Sequence, residues 1–457
     1  MNNTSNEIIS LSLDMIDKAK SGHPGMLLGG GEFLVELFLN HLNISPKSKD
    51  WLNKDVFIMS SGHVSSIYYA LLHASGFNIT MEDLKNFRSI NSNTPGHPEV
   101  FITDGVETSS GPLGQGIANG IGIALSYKKI KEKYNKQNFD IIDNHIYIWC
   151  GDGDLQEGVS YESISFAGNL KLDNIILIYD KNNVTLDTKL KDSSSENIKK
   201  RFQACNWNVI EIKNANSKKF NSSINKAKKS KKPTLVVFES IIGKHSENQG
   251  TSLVHGSPLG KKDLINVKNK LNTSDKIFKL SKETYDCFDL KLKKRVDEKI
   301  FLWESKLIEY KNKYPLFYNQ IKDLRNLEFD FSPLDYEDSA TSSSRETLGK
   351  MLSLLGNKNN FLIGGSADVA SSTKGFIRGS EYITSSSFQG QNIHFGIREF
   401  AMGAIGNGIS LCKFFYPFVS TFLVFSDYLK PSIRLSCLMN LPILFIFSHD
   451  SIAIGED

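Results

Sequence analysis

Cysteines are few and scattered in this chain. The 457 residues contain five, an odd number, and no two of them form a CxxC pair. A disulfide framework or a zinc site is therefore not expected, and the pattern favours the reduced thiols of a cytoplasmic protein. The five are Cys150, Cys205, Cys287, Cys412 and Cys437.

Long apolar runs are also missing. The longest, residues 441–447, is too short to cross a bilayer and is typical of a buried strand. Residues 1–7 are polar and lack the apolar core of a signal peptide. The sequence therefore predicts neither a membrane protein nor a secreted one.

No charge of one sign dominates. Lys and Arg number 54 against 50 Asp and Glu, and the formal net charge is +4. The densest basic run, residues 226–232, is interpreted as the solvated end of a helix that precedes a strand. Because a Walker motif is absent as well, a nucleotide-binding or nucleic-acid module is the least favoured class.

What the chain does have is a regular alternation of short apolar runs with helical stretches. Strands are predicted at residues 56–59, 146–150, 175–179 and 234–239, and a first helix at residues 8–19. This alternation indicates an α/β fold, with doubly wound parallel sheets flanked by helices. Residues 109–123 combine a Gly-rich loop with a helix of small residues, and such a helix can pack closely against a neighbour.

The length predicts two or three domains. Residues 1–260 form the first α/β block, and residues 261–335, rich in Lys, Leu, Glu and Asn, are expected to be a helical connector. Residues 336–457 form a second α/β block, with a helix at 346–355, a strand at 361–363 and a helix at 398–411. The chain stops directly after an apolar strand, which we interpret as the sign of a fragment that is incomplete at its C-terminal end.

A bracket of thirty residues is the most informative local pattern. Gly151-Asp152-Gly153 directly follows one predicted strand, and Asn182-Asn183 follows the next one. Asp152 and the Asn182 carbonyl would then lie at the carboxyl ends of two strands, where open α/β sheets bind ligands. Hard oxygen ligands of this kind suit Mg²⁺ held jointly with phosphates. The spacing is similar to the diphosphate-binding motif of thiamine diphosphate enzymes; an ordinary Gly-Asp turn before an unrelated Asn loop is the alternative.

Several of the ten histidines lie in loops beside glycine or proline. Loop histidines near strand ends are candidates for carrying protons or for donating hydrogen bonds to phosphate. Any one of them alone is more often structural, but four in similar contexts favour a site. The four are His23, His63, His97 and His255.

Together these motifs resemble those of the transketolase family, in the same order. The resemblance covers nearly the whole chain and is weak over the predicted connector. The motifs are Ser21-Gly22-His23-Pro24-Gly25, Ser61-Gly62-His63, Thr94-Pro95-Gly96-His97-Pro98-Glu99, Gly111-Pro112-Leu113-Gly114-Gln115-Gly116, Gly151-Asp152-Gly153 with Gln156-Glu157-Gly158, Val254-His255-Gly256, Gly364-Gly365-Ser366-Ala367-Asp368, Phe395-Gly396-Ile397-Arg398-Glu399, the segment from Ser420 to Tyr428, and the segment from Ser448 to Asp457.

The resemblance implies a thiamine diphosphate-binding fold. Residues 1–260 would be its diphosphate-binding domain, with a divalent metal, Mg²⁺ or alternatively Ca²⁺ or Mn²⁺, on three ligands. The implied ligands are the side chains of Asp152 and Asn182 and the backbone carbonyl of Val184. Other residues implied to contact the cofactor in this domain are His63, Leu113, Gly114, Gly153, Glu157 and His255.

Residues 336–457 would be the pyrimidine-binding domain. The resemblance makes Glu399 the partner of the aminopyrimidine ring and a catalytic residue, and it adds Asp368 to the cofactor contacts. Phe422, Phe425 and Tyr428 would stack around the ring, although their spacing of three residues also fits a helical core stripe. That alternative stays open at the level of the sequence.

Substrate contacts are implied mainly for histidines. His23, His97, His255 and His449 would bind sugar hydroxyls and relay protons, and Asp457 would recognise a further hydroxyl. The family's phosphate-binding arginine follows an Ala-Thr pair, but here Ser342 follows Ala340-Thr341. The substitute we predict is Arg345, with Ser372 as its neighbour, because Arg345 lies 19 residues before Gly364.

The implied activity is a transferase activity. A transketolase moves a two-carbon ketol unit from a ketose phosphate to an aldose phosphate in the pentose phosphate pathway, by way of a thiamine diphosphate carbanion. The resemblance also implies a cytoplasmic homodimer with the active site at the subunit interface. Two alternatives remain: a related thiamine-dependent 1-deoxyxylulose-5-phosphate synthase, which condenses pyruvate with a triose phosphate, and a truncated non-catalytic chain or a subunit that needs a complementary chain.

Overall fold

The computed structural model describes residues 2–47, 49–334 and 342–449 of the chain. The helices in these residues are α1 (Asn2–Ala19), α2 (Pro24–Asn40), α3 (Ser65–Ala74), α4 (Met81–Lys85), α5 (Gln115–Tyr134), α6 (Asp152–Gln156), α7 (Gly158–Asn169), α8 (Leu190–Ser193), α9 (Ile198–Ala204), α10 (Ser217–Ala227), α11 (Lys261–Lys270), α12 (Lys282–Phe288), α13 (Lys294–Lys313), α14 (Pro315–Lys322), α15 (Ser344–Lys358), α16 (Ala370–Thr373), α17 (Glu399–Leu411) and α18 (Ser426–Leu438). The strands are β1 (Val56–Met59), β2 (Ile146–Cys150), β3 (Ile175–Lys181), β4 (Asn208–Ile212), β5 (Thr234–Glu239), β6 (Leu362–Ser366), β7 (Asn392–His394), β8 (Tyr416–Phe422) and β9 (Leu444–Ser448).

The chain folds into two compact units. The first comprises Met1–Ile117, Asp143–Gly158 and Asp173–Ser305, and the second comprises Ala118–Ile142, Val159–Leu172 and Lys306–Asp457. The units therefore interleave along the sequence. The boundaries predicted at residues 260 and 335 divide the chain into consecutive domains, which is a different kind of division. They stay predictions.

A five-stranded parallel sheet with the order β1-β2-β3-β5-β4 is the centre of the first unit. Every residue of β2 and the first six of β3 are buried. Strands that are covered on both faces read as continuous apolar runs, which is why the sequence revealed them. The predicted α/β fold with parallel sheets flanked by helices is confirmed.

Two details of this sheet differ from the sequence prediction. β3 continues two residues beyond the predicted end at Tyr179, so Asn182 directly follows the strand. β4 was not predicted, because polar residues at its first and fourth positions interrupt the apolar run in Asn208–Ile212. β4 lies at the edge of the sheet, where one face stays open to solvent, and such a strand lacks an apolar run.

Helix α1 begins at Asn2, six residues before the predicted start at Ile8. Its polar first turns are held by a buried carboxylate, since Glu7 is only 1% exposed. Glu7 accepts hydrogen bonds from the backbone N–H of Ser281 at 2.7 Å and from the Thr284 hydroxyl at 2.8 Å. Long-range bonds of this kind extend a helix where local periodicity gives no signal.

The described part of the predicted connector, residues 261–334, consists of helices joined by loops and contains no strand. A buried ion pair joins α11 to α1, with 2.6 Å between Lys268 Nζ and Asp14 Oδ1. Burial is the largest influence on Asp14 and raises the pKa of its carboxyl. The first helix of the connector is thus joined to α1 by charge.

The second unit contains a four-stranded parallel sheet with the order β7-β6-β8-β9. The strand predicted at residues 361–363 begins one residue later and continues through Gly364-Gly365-Ser366. These glycines belong to the strand because its neighbours are close. A Cβ on Gly364 would lie 1.9 Å from the Phe418 carbonyl oxygen, and one on Gly365 would lie 2.0 Å from that of Ile393.

Close helix packing predicted for the small-residue segment is present in the second unit. A Cβ on Gly122 of α5 would lie 2.1 Å from the Ile405 carbonyl oxygen of α17. A Cβ on Gly408 would lie 1.9 Å from the Asn119 carbonyl oxygen. Glycine at both positions lets the two backbones touch.

None of the described helices is both long and apolar enough to cross a membrane. All five cysteines lie in the described residues and carry free thiols, in agreement with the sequence prediction. The basic run at 226–232 begins at the end of α10 and continues into the turn before β5.

Candidate active site

Three neighbouring strands of the first sheet end at the same edge. In the parallel register Met59 pairs with Trp149, and Cys150 pairs with Tyr179. The loops that follow carry His63, Asp152 and Asn182, so residues far apart in sequence reach one edge of the sheet.

Asp152 opens α6 directly after β2 and is 3% exposed. Its Oδ1 accepts a short hydrogen bond from the Tyr179 hydroxyl, and its Oδ2 accepts bonds from the backbone N–H groups of Asn182 at 3.2 Å and Asn183 at 2.9 Å. Burial, the largest influence, raises the pKa of this carboxyl, whereas the three hydrogen bonds favour its charged form.

Asn182 is joined to this carboxylate through its backbone N–H, and its side chain shapes the loop that follows. Its Oδ1 accepts a hydrogen bond from the Val184 backbone N–H at 3.1 Å, which turns the loop after β3 back on itself. Asn183 supports the same turn with a positive φ of 62°. The three predicted metal ligands therefore belong to one compact turn and helix start.

No group of three or more His, Cys, Asp or Glu side chains in the described residues could hold a metal ion by itself. The site offers one carboxylate, one amide oxygen and a backbone carbonyl. Mg²⁺ commonly binds one or two carboxylates and takes its remaining ligands from phosphates and water. The donor set of this turn fits that chemistry and fits poorly to a metal that needs imidazole or thiolate ligands.

Asp154, which the sequence analysis did not select, organises the same edge. It is fully buried and accepts hydrogen bonds from the hydroxyls of Ser60 at 2.6 Å and Ser61 at 2.5 Å. It also accepts from the backbone N–H groups of Gly114 at 3.0 Å and Gly151 at 3.1 Å. One carboxylate thus joins the loops that follow β1 and β2 to the Gly-rich loop.

Backbone approaches explain the glycines of these loops. A Cβ on Gly62 would lie 2.8 Å from the Gly111 nitrogen, and one on Gly116 would lie 2.7 Å from the Ser60 Cα. Gly153 faces the predicted cofactor residue Leu113, whose side chain a Cβ would meet at 3.0 Å. Only residues without side chains allow this density of backbone at the edge.

Three of the predicted histidines form a cluster. The ring centroids are 4.9 Å apart for His23 and His63, 5.5 Å for His63 and His255, and 6.1 Å for His23 and His255. His97 joins from the loop at 94–98, with its ring 3.2 Å from the position of a Cβ on Gly111. The structure therefore brings together all four loop histidines.

Burial keeps these imidazoles neutral. It lowers the pKa of His23 to about 4, with the Arg88 charge as the next cause, and it lowers the pKa of His63 well below its ordinary value. Burial also lowers the pKa of His97 and of His255. Neutral rings can accept as well as donate hydrogen bonds at neutral pH, which is what binding and exchanging hydroxyl protons requires.

Two ring nitrogens in the cluster are buried without a hydrogen-bond partner in the described part of the chain, His63 Nε2 and His255 Nδ1. Buried polar atoms are seldom left unpaired in native proteins. These orphans indicate that a polar ligand belongs beside them.

Arg88 is the cation of this cluster, and no motif pointed to it. Its Nη1 donates to the Ser21 hydroxyl at 2.8 Å, and its Nη2 lies 3.4 Å from His23 Nδ1. Its backbone has a positive φ of 62°, and its N–H donates to the Thr94 carbonyl at 3.0 Å. Its Nη2 also donates to the Gly96 carbonyl oxygen at 3.5 Å, so the guanidinium joins the loop before α2 to the loop that carries His97.

The carboxyl edge of the second sheet, in the second unit, holds a different set. Phe422 ends β8, and its ring centroid lies 5.8 Å from that of Phe425 and 5.1 Å from that of His449. Phe425 is 6.0 Å from Tyr428, which is 63% exposed. The three aromatic residues come from a strand end, a 3₁₀ turn and a helix, so they are not a helical core stripe.

Arg345 lies in the first turn of α15, with its Nη1 3.2 Å from His449 Nε2. The predicted phosphate anchor and a predicted substrate histidine are therefore neighbours. Ser372, in α16, is half-buried, and Asp368 follows β6 with a positive φ of 64°. Within the described residues no hydrogen bond joins Ser372 to Arg345, and that pairing stays a prediction.

Glu399 is the first residue of α17, next to a second carboxylate. Glu162 Oε2 accepts the Ala401 backbone N–H at 2.8 Å, and burial, then the Glu399 charge, raise the pKa of Glu162. Arg398 holds the same start of the helix by donating to the Ser165 hydroxyl at 3.0 Å.

One predicted site residue, Glu157, does not join either set. Glu157 is exposed at the end of α6. Asp457 lies outside the described residues, as does the Ala340-Thr341 pair that precedes Ser342.

The sequence analysis missed Arg88, Asp154, Tyr179 and Glu162. Asp154 could have been found, because it lies two residues after Asp152 in the same glycine motif. Tyr179 ended a predicted strand, but its hydroxyl contact depends on the neighbouring loop. Arg88 and Glu162 act across long sequence separations, and nothing in their local pattern signals a role.

Comparison with known proteins finds matches for both parts of the chain. A profile for the transketolase thiamine diphosphate binding domain matches residues 1–328, and one for the transketolase pyrimidine binding domain matches residues 340–457. A transketolase of Bacillus subtilis is 43% identical over 458 residues, which cover 98% of this chain and 69% of that protein.

Solved structures give the same result. The fold matches a transketolase from Leishmania mexicana with a TM-score of 0.96 and 34% identity, over 100% of this chain and 69% of that one. It also matches a Pichia stipitis transketolase in complex with sedoheptulose 7-phosphate, with a TM-score of 0.95 and 33% identity, over 100% of this chain and 70% of that one.

Proposed function

This chain belongs to the transketolase family, and on that premise we propose how its residues perform the family's reaction. The chain is a thiamine diphosphate-dependent transferase that moves a two-carbon ketol unit from a ketose phosphate to an aldose phosphate. When bound, thiamine diphosphate supplies the nucleophilic carbon and the electron sink for cleavage of the ketose bond. The protein supplies binding, orientation and proton exchange.

The buried orphan nitrogens carry the assignment of the diphosphate site. His63 Nε2 and His255 Nδ1 have no partner among the described residues, and each can donate to an anionic oxygen. The backbone beside Gly114 and Gly153 is open to close approach. Leu113 and Gly153 lie in contact distance and would border the same ligand.

A divalent metal, Mg²⁺ first, would be held by Asp152, Asn182 and the Val184 carbonyl. Tyr179 and the two backbone donors hold Asp152 in place and favour its charge, which a cation needs. A buried carboxyl with a raised pKa is stabilised by a cation, so metal and diphosphate would bind together.

His23, His97 and His255 would contact the sugar. Their neutral imidazoles can bind hydroxyls and exchange protons with them. Arg88 holds the loop of His23 against the loop of His97. It thereby positions the two imidazole rings while both stay neutral.

The second unit's edge would bind a pyrimidine ring and a substrate phosphate. Glu399 would hold the pyrimidine ring, and Phe422, Phe425 and Tyr428 would stack against it. Arg345 beside His449 would bind the substrate phosphate, since a guanidinium fits phosphate oxygens in pairs.

We further infer that the chain forms a homodimer. We also infer that it is located in the cytoplasm and acts in the pentose phosphate pathway. The exposed apolar side chains near the second edge support a covering partner surface, with Ile397 at 77%, Val424 at 52% and Leu423 at 50% exposure. The five free thiols support a reducing compartment.

The test combines binding with turnover. The chain is titrated with thiamine diphosphate and Mg²⁺ by tryptophan fluorescence, and then supplied with sedoheptulose 7-phosphate and a triose phosphate. Ketol transfer would give a five-carbon aldose phosphate and a five-carbon ketose phosphate in equal amounts. Binding without these products would favour the non-catalytic alternative. Release of CO₂ from pyruvate with the same triose phosphate would favour the synthase.

A further inference from the structure

We propose that Arg88 is a positioning residue that fixes His23 as its Nε2–H tautomer, so that His23 presents a hydrogen-bond donor to the sugar. The identity of that recipient rests on the proposed function. The tautomer itself is a property of the resting chain and can be measured without substrate.

The chemistry of the guanidinium determines which His23 tautomer can pair with it. Arginine has five N–H donors and no acceptor. Its Nη2 lies 3.4 Å from His23 Nδ1, so this nitrogen can pair with Arg88 only as an acceptor, without a proton of its own. The single proton of the neutral ring must then be on Nε2.

Arg88 cannot easily turn away from His23. Its Nη1 is held by the Ser21 hydroxyl at 2.8 Å, two residues before His23 in the same loop. Its backbone N–H donates to the Thr94 carbonyl at 3.0 Å, which closes the loop from 88 to 94. Histidine and arginine are therefore fixed to each other from both sides.

The opposite nitrogen of His23 is available. Nε2 has no hydrogen-bond partner in the described part of the chain, and a Cβ on Gly256 would lie 3.3 Å from it. Glycine at this position keeps the space beside Nε2 open. The His63 ring, whose centroid is 4.9 Å away, borders the same space.

Two other histidines of this chain provide internal references. His73 Nδ1 lies 2.7 Å from the Ile79 carbonyl, which can only accept, so His73 is the Nδ1–H tautomer. His41 Nε2 lies 2.7 Å from Asn221 Oδ1, and Asn221 is oriented by donating its Nδ2 to Glu36 at 3.0 Å. His41 is therefore an Nε2–H tautomer, like the one proposed for His23.

The decisive measurement is a long-range ¹H–¹⁵N correlation spectrum of the chain labelled with ¹⁵N in histidine, at pH 8. Signals of His23 are assigned by their loss in His23→Gln. The expected result is the Nε2–H pattern, in excess by on the order of ten to one, as for a hydrogen bond to a charged group. A His23 pattern of the Nδ1–H type, like that of His73, overturns the proposal in the wild-type chain alone.

Variants then separate positioning from general stability. Arg88→Met removes the donor, and the His23 tautomers should become mixed while His41 and His73 keep their patterns. Arg88→Lys restores a cationic donor and should restore the Nε2–H pattern. If Arg88→Met leaves His23 unchanged, another group fixes the tautomer and the proposal is wrong.

Activity gives a separate outcome. Arg88→Met should lower kcat/KM for ketol transfer about tenfold or more, with Arg88→Lys recovering most of it, because the donor to the sugar is no longer fixed. An Nε2–H pattern in a chain without ketol transfer would refute the proposed function and leave the tautomer assignment standing. Full ketol transfer by a chain whose His23 is the Nδ1–H tautomer would support the proposed function and refute the tautomer assignment.

Discussion

The two sheet edges of this protein are built in opposite ways. At the edge of the first sheet Asp152, Asp154 and Asn182 are buried and already bonded to protein donors. At the edge of the second sheet Tyr428 and His449 are exposed, and Phe422 and Phe425 are half-buried. The first edge is preorganised in this chain alone, whereas the second still presents uncovered rings.

This difference has a physical reason. A diphosphate and a divalent cation carry high charge, and they are best bound by groups whose reorganisation was completed during folding. A planar ring is bound by stacking and by burial of area, which needs a surface on each side. We therefore expect replacements at the first edge to alter folding and binding together, and replacements at the second edge to alter binding alone.

The largest effect is expected for Asp154→Asn. The amide would place an N–H₂ group against donors from Ser60, Ser61, Gly114 and Gly151, so buried donors would lose their acceptor. The free energy of unfolding should fall by about 3 kcal/mol or more. Urea unfolding followed by near-ultraviolet circular dichroism measures it.

Asp323→Asn is the matched control for Asp154→Asn, because Asp323 is exposed and the same atoms change. Its unfolding free energy should stay within about 0.5 kcal/mol of the wild type. Equal losses in the two variants would show that the first edge is not preorganised by Asp154.

Asp152→Asn should affect binding more than stability at the same edge. Burial raises the pKa of this carboxyl and so offsets part of what its three hydrogen bonds contribute, and the variant should therefore lose less stability than Asp154→Asn does. Mg²⁺-dependent binding of thiamine diphosphate should weaken by roughly a hundredfold or more. Tyr179→Phe, which removes only the hydroxyl that holds Asp152, should weaken it about tenfold. Fluorescence titration compares the three chains, and equal affinities would remove Asp152 from the metal site.

The sequence predicted much of the first edge because the signals there are local. Strands β1, β2 and β5 read as apolar runs, and the residues that follow β2 and β3 stand directly next to them in the chain. Because the carboxyl ends of parallel strands share an edge, the sequence alone predicts that Asp152 and Asn182 lie close together.

The same reasoning could not reach groups whose roles depend on distant partners. Asp154 is defined by Ser60 and Ser61, more than 90 residues earlier, and Arg88 by Ser21 and His23. β4 and the early start of α1 were not predicted from the sequence for a related reason. Edge exposure removes the apolar signal from a strand, and a buried Glu7 sustains polar helix turns that periodicity does not reveal.

At the second edge Arg345→Met should act on the substrate phosphate. The KM for a ketose phosphate should rise about 10- to 100-fold, as for loss of a charge-assisted contact, with little change for the unphosphorylated ketose. Arg378→Met is the control, since Arg378 is exposed on the same unit and pairs with Glu346 at 3.3 Å. Steady-state kinetics with the phosphorylated and the unphosphorylated ketose measures these KM values. An unchanged KM in Arg345→Met would mean that another group binds the phosphate.

Acid should weaken the first edge through its histidines. The pKa of His23 is about 4 in the folded chain and near 6.5 when unfolded, so between these values only the unfolded chain binds the proton. Stability from the neutral ring is therefore fully present above pH 6.5 and is lost as pH falls toward 4. Urea unfolding should show a shallower decline for His23→Gln than for the wild type over this window, and parallel curves between pH 7 and 8. Parallel curves throughout would contradict burial of the ring.

The smallest effect on stability is expected for a replacement of Tyr428. This replacement also tests most directly how the second edge is built. A side chain that is 63% exposed contributes little to folding, so Tyr428→Ala should change the unfolding free energy by no more than about 0.5 kcal/mol. Phe395→Ala, at the same edge, removes a ring that is 1% exposed and stacks on Phe166 at 5.7 Å, and it should cost about 3 kcal/mol or more. If Tyr428→Ala nevertheless weakens thiamine diphosphate binding, the ring serves the ligand; if it destabilises the chain as much as Phe395→Ala does, the aromatic row is core and the contrast between the two edges fails.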